Sequence, residues 1–122
     1  MPSGHDPQDF LPMKPDAFMI LTVVAAGERH GYAIMQEAER LSGGTLRLQP
    51  GALYRRLKWM LAEGLLEELD ERPTDVEGHD ERRRYYRVTP FGRQVADAEA
   101  HRMARAVEAA RDAGLAGDGG LP

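Results

Sequence analysis

The 122-residue chain contains no cysteine, which removes disulfides, thiolate metal sites and a cysteine nucleophile from consideration. That absence fits a cytoplasmic setting. No run of apolar residues is long enough to span a bilayer. The opening residues, MPSGHDPQDF, lack the basic-then-apolar layout of a secretory signal, so export is not expected. The histidines, His5, His30, His79 and His101, show no metal-ligand spacing, and no HExxH motif occurs. His30 reads as a helix-entry or hydrogen-bonding residue rather than a ligand. There is no phosphate-cradling glycine loop and no G-x-S-x-G elbow. No catalytic residue, metal site or cofactor is therefore expected.

Positive charge is scarce overall, since the net charge is −4, but it is not spread evenly. Residues 1–43 carry three Lys/Arg against six Asp/Glu, 44–64 four against one, 65–88 five against eight, and 89–122 four against five. Only the middle block is basic. Bulk attraction to nucleic acid is excluded, whereas a local positive patch is not.

That block contains the most informative stretch, Gln49 to Gly64. Pro50 and Gly51 stand where a helix begins, and proline is tolerated there because its missing N–H has no partner in a first turn. Leu53, Leu57, Met60 and Leu61 recur at helical spacing and define a buried face. At about 100° per residue, Gly51, Ala52, Arg55, Lys58 and Trp59 fall on the outward side, with Arg56 on the flank. Gly64 stops the helix. From Gly44 to Trp59 there is no acid. A short helix with a basic outer face suits a DNA major groove, and it equally suits a solvated surface.

In chain order, residues 1–13 read as a flexible arm from which Phe10, Leu11 and Met13 could dock. Pro15 to Ala26 is apolar nearly all round, as expected of a central core helix or of one that also meets a second subunit. A second helix runs from His30-Gly31-Tyr32 to Leu41, with Ile34, Met35, Ala38 and Leu41 inward. Thr45 to Leu48 alternates like a very short strand. Leu65–Leu69 and Arg83–Val88 read as an antiparallel hairpin joined by a polar loop over 71–80. Tyr85 and Tyr86 point to opposite sides, one of them into the core. Thr89-Pro90 caps a last helix reaching Ala113, whose apolar stripe is interrupted by Glu99 and Arg102. Residues 114–122 read as a disordered tail.

Three helices followed by a two-stranded hairpin make a winged helix-turn-helix, a mainly α (α+β) fold. At HGYAIMQEAERLSGG, PGALYRRLKWMLAEGLL and RRYYRVTPFGR the sequence resembles the PadR family of bacterial transcriptional regulators, over roughly residues 15–110. The single last helix is similar to the compact PadR subgroup. The resemblance implies a homodimeric regulator of double-stranded DNA, usually a repressor. It further implies that a small, commonly aromatic or amphipathic, effector binds at or near the dimer interface. Carried over by position, Tyr54, Arg55 and Lys58 belong to the recognition helix, Tyr32 to the second helix, and Arg82, Arg83 and Arg84 to the returning strand of the wing.

Gln49 and Ala52 stand where members commonly have serine or threonine and another small hydroxyl residue. DNA contact is thus expected from Tyr32, Gln49, Gly51, Ala52, Tyr54, Arg55, Lys58, Arg82 and Arg84. The ring of Tyr54 is expected inside, with its hydroxyl emerging, and Arg56 is expected to pair with an acid. Trp59 either packs on a neighbouring element, the favoured reading, or stands exposed beside the DNA. Dimer contact is expected from Phe18, Leu21, Val95, Met103, Ala106, Val107 and Ala110. On this reading 14–88 is the winged-helix domain and 89–113 the dimerisation helix. The rival is a winged-helix protein-interaction module that has lost DNA binding, which would suit the acidic wing tip at Asp75, Glu77, Asp80 and Glu81.

Overall fold

The computed structural model describes residues 6–69 and 84–117. Four α-helices surround a small sheet: α1 (Pro15–Ala26), α2 (Gly31–Leu41), α3 (Pro50–Ala62) and α4 (Pro90–Asp112), with β1 (Arg29–His30), β2 (Leu66–Leu69) and β3 (Tyr85–Val88). The sheet is antiparallel in the order β1-β3-β2. This is a winged helix. The loop and acidic tip expected over 71–81, together with Arg82 and Arg83, lie outside the described residues, as do 1–5 and 118–122.

The helix boundaries follow local chemistry. Proline opens α1, α3 and α4, where the lost N–H is not needed. Thr89 caps α4 by accepting from the Gly92 N–H, while its own hydroxyl donates to the Gly64 carbonyl. Gly64 ends α3 in a left-handed conformation (φ 78°), which lets the Leu65 N–H turn back to the Met60 carbonyl. His30 is the helix-entry residue expected, its Nδ1 accepting from the Ala33 N–H at 3.2 Å.

The core is drawn from every helix. Ile20, Leu21, Val23 and Val24 of α1 meet Ile34 and Ala38 of α2, Leu53, Leu57 and Met60 of α3, and Val95 of α4. Tyr86 is the inward tyrosine, and burial pushes its hydroxyl pKa up to about 12. The apolar run of α1 is that of a central helix packed against α2, α4 and β3.

Two expectations fail. Thr45–Leu48 is not a strand: the third strand is Arg29–His30, paired with Tyr85 and Tyr86. Turn bonds from Thr45 N–H to the Ser42 carbonyl and from Leu46 N–H to Ser42 Oγ hold that segment, while Leu46 and Leu48 dock sideways on the core. The second is Leu41, expected inward and found 45% exposed at the end of α2. The N-terminal segment docks through Phe10 and Met13, two of the residues read as able to do so. Pro7–Phe10 forms one 3-10 turn. Phe10 lies between Trp59 of α3 and Phe91 of α4, with ring centroids 6.1 Å and 5.7 Å away.

Glu99 explains why the stripe of α4 is broken. Its side chain is almost wholly buried, and its carboxylate accepts from the Met13 N–H at 3.2 Å and from Arg102 at 2.7 Å. The charge therefore pins the N-terminal segment to α4. The Arg102 hydrogen bond, opposed by desolvation and assisted by the Met13 N–H, holds the Glu99 carboxyl below the usual carboxylate range. Because the folded-state pKa is depressed, the stabilisation is present at neutral pH and is lost as pH falls through that value. Glu99→Gln is expected to cost about 1.5–3 kcal/mol at neutral pH. In urea titrations its difference from the parent should shrink below the ordinary carboxylate value of 4.5.

Candidate nucleic-acid interface

The outward face of α3 is built as its periodicity requires. With Leu53, Leu57 and Met60 facing inward, Gly51, Tyr54, Arg55 and Lys58 are exposed, and Ala52 is half-buried. Arg56 pairs with Asp16 of α1 at 3.2 Å, so its charge is spent inside the fold. Among the described residues Arg55 and Lys58 enter no ion pair. Gln49 precedes the helix without a side-chain cap, leaving first-turn N–H groups open to an anion. Arg47, in the connection from α2, lies 3.5 Å from Glu39, and both are exposed.

Tyr32 is exposed on the first turn of α2. Tyr54 departs from expectation. The residue is 43% exposed, and its hydroxyl end rests against Gly31: a Cβ built there would lie 2.6 Å from Tyr54 Oη. The tyrosine thus spaces α2 from α3, and its hydroxyl turns towards α2 rather than emerging from the helix. Trp59 packs against Phe10 while Arg56 lies 5.6 Å above its ring. This is the packed reading, with about a third of the residue (36%) still open to solvent.

A family model, that of the PadR-like transcriptional regulators, matches residues 20–98. The chain belongs to that family. A PadR family transcription regulator from Clostridium difficile superposes with a TM-score of 0.65 at 19% identity, over 81% of this chain and 97% of that one. PadR of Bacillus subtilis, solved in complex with operator DNA, is 25% identical with a TM-score of 0.55, over 70% of this chain and 47% of that one. An uncharacterised 37.1 kDa protein in transposon TN4556 of Streptomyces fradiae is 39% identical over 87 residues. Those residues are 71% of this chain, which spans only 22% of that relative.

In this PadR-like chain the wing is less free than its arginines suggest. Arg84 donates to Glu68 across the hairpin at 2.7 Å, and that hydrogen bond raises its pKa. Arg87 sits between Glu67 and Glu28. Arg84 remains exposed, but its charge is shared with a carboxylate.

The residues expected at a dimer contact divide. Leu21 and Val95 are corrected: both are completely enclosed in the core of one chain and can touch no partner. Phe18 is half-buried, and so is Ala110. Met103, Ala106 and Val107 lie on the far half of α4, where every residue from Met103 to Ala109 is exposed. The Glu99 latch and the spacer role of Tyr54 were missed. A charge inside an apolar stripe was the available signal for the first, and the glycine opening α2 for the second.

Proposed function

We propose that this chain is a DNA-binding transcriptional regulator that grips an inverted-repeat operator as a homodimer and represses by occupying the promoter. The observation that carries this is the exposed pair Arg55 and Lys58, free of ion pairs among the described residues, on the outer face of an α3 with an open N-terminus. Two such helices about 34–36 Å apart enter successive major grooves on one face of the duplex. Phosphate contacts from cations supply affinity, and a few base-edge contacts supply specificity. On this reading Gln49, Gly51, Ala52, Tyr32, Arg82 and Arg84 contribute further DNA contacts. A small effector that prefers a different spacing of the helices would weaken the grip by its differential affinity. The role is a cytoplasmic one and needs no catalytic step.

Dimerisation is supported by the far half of α4, which carries Met103 and Val107 four residues apart and exposed. Phe18 and Ala110 extend the same reading. Replacing both Met103 and Val107 by glutamate is expected to raise the dimer dissociation constant about a hundredfold or more, because two charges from each protomer would be desolvated at the contact. Sedimentation should show monomers whose circular dichroism is unchanged. A dimer that survives would place the interface elsewhere.

The function is tested by selecting duplex fragments on the purified protein and titrating salt. A regulator's log affinity falls steeply and linearly with log salt. A winged-helix interaction module would retain no duplex at all.

A further inference from the structure

Beside the recognition helix lies an open groove of about 390 Å³, between the N-terminal segment and the far end of α3. Its size falls within the roughly 300–1,000 Å³ of small-molecule sites. We propose that it binds a flat aromatic amine.

The apolar wall comes from Phe10, Met13 and Trp59, with the two rings tilted 60° to each other. Such a wall favours ring systems over flexible chains. The charges decide the rest. Arg56 also lines the groove, but its guanidinium is held by Asp16 and stacks over the indole of Trp59. That leaves one cation, Lys14, against two carboxylates, Asp9 and Glu63. None of these three enters an ion pair among the described residues. The surplus is negative, so a protonated amine is matched and a carboxylate is opposed. The stacked guanidinium shows that a cation is at home on this indole.

Occupancy would be felt in the DNA-reading helix. Phe10 touches both Trp59 and Phe91, so a ligand seated against it bears on the link between α3 and α4. Binding does not depend on the operator reading; only its consequence for DNA does. Calorimetry on the DNA-free protein and operator titration therefore fail separately.

The test uses the full chain with naphthylethylamine and, as the anionic counterpart, naphthylpropionate. Trp59 is the only tryptophan, so its indole N–H resonance reports the groove alone. The amine is expected to bind saturably, to move that resonance, and to bind at least about tenfold more tightly than the acid. The double variant Asp9→Asn, Glu63→Gln should weaken the amine about tenfold while leaving the melting temperature unchanged. The proposal is overturned by equal or tighter binding of the acid, or by amine binding that leaves the Trp59 resonance unmoved. Absence of saturation by about 1 mM would overturn it as well.

Discussion

Replacing Gly92 with alanine is expected to destabilise the fold by about 3–5 kcal/mol, a large share of what a small domain possesses. Gly92 lies in the first turn of α4, where that helix crosses the end of α3 and the start of β2. A Cβ there would stand 2.0 Å from the Leu65 carbonyl oxygen, 2.9 Å from its carbon and 3.0 Å from Val88 Cγ2. The obstruction is backbone, so no rotamer change relieves it. The same carbonyl accepts the Thr89 N–H at 3.1 Å, and the Gly92 N–H completes the Thr89 cap. Relief therefore means prising α4 from the sheet and losing the cap with it. Thermal melting should fall by on the order of 10–20 °C. Gly51→Ala is the control, because the space there is open and the nearest atom is the tip of Arg55 at 3.7 Å. It should be neutral or slightly stabilising. Equal melting of the two variants would mean that α4 does not make this approach in solution.

The second large effect concerns DNA. Arg55→Ala combined with Lys58→Ala is expected to lower operator affinity about a hundredfold or more near physiological salt. The log–log salt slope should become shallower by roughly 3–4, for four cations removed from a dimer. Melting temperature and dimer mass should not change, since both side chains are exposed and hold nothing else among the described residues. Arg56→Ala is the informative contrast. It breaks the pair with Asp16, so it should lower stability while sparing the salt slope. Were Arg56 to alter the slope and Arg55 not, the facing of α3 would have to be revised.

The helices were legible because punctuation and periodicity agreed. Pro15, Pro50 and Pro90 mark starts, Gly27 and Gly64 mark stops, and the apolar stripes of α1 and α3 fall inward, whereas Leu41 of α2 and Met103 and Val107 of α4 stay exposed. The sides of Arg55 and Lys58 follow from the same arithmetic, and so does the inward lean of Arg56 towards an acid. What stayed hidden depends on partners distant in sequence. Arg29–His30 is too short to show alternation and becomes a strand only because Tyr85 and Tyr86 arrive beside it. Glu99 looks like a solvated interruption until the Met13 N–H, 86 residues away, meets it. Arg84 reads as a free wing cation until the register sets it near Glu68. Leu21 and Val95 are expected at a dimer contact because periodicity marks a residue as apolar-facing without saying what it faces; three-dimensional enclosure puts both in the core.

His30 serves two masters, ending a two-residue strand and capping the helix that follows at once. No slack separates the sheet from α2 at that joint. A single residue inserted between Gly27 and Gly31 would slide the ladder and unseat the imidazole in one stroke. Length at this corner is therefore a fixed dimension of the molecule, and any tilt of the hairpin is handed directly to the first turn of α2.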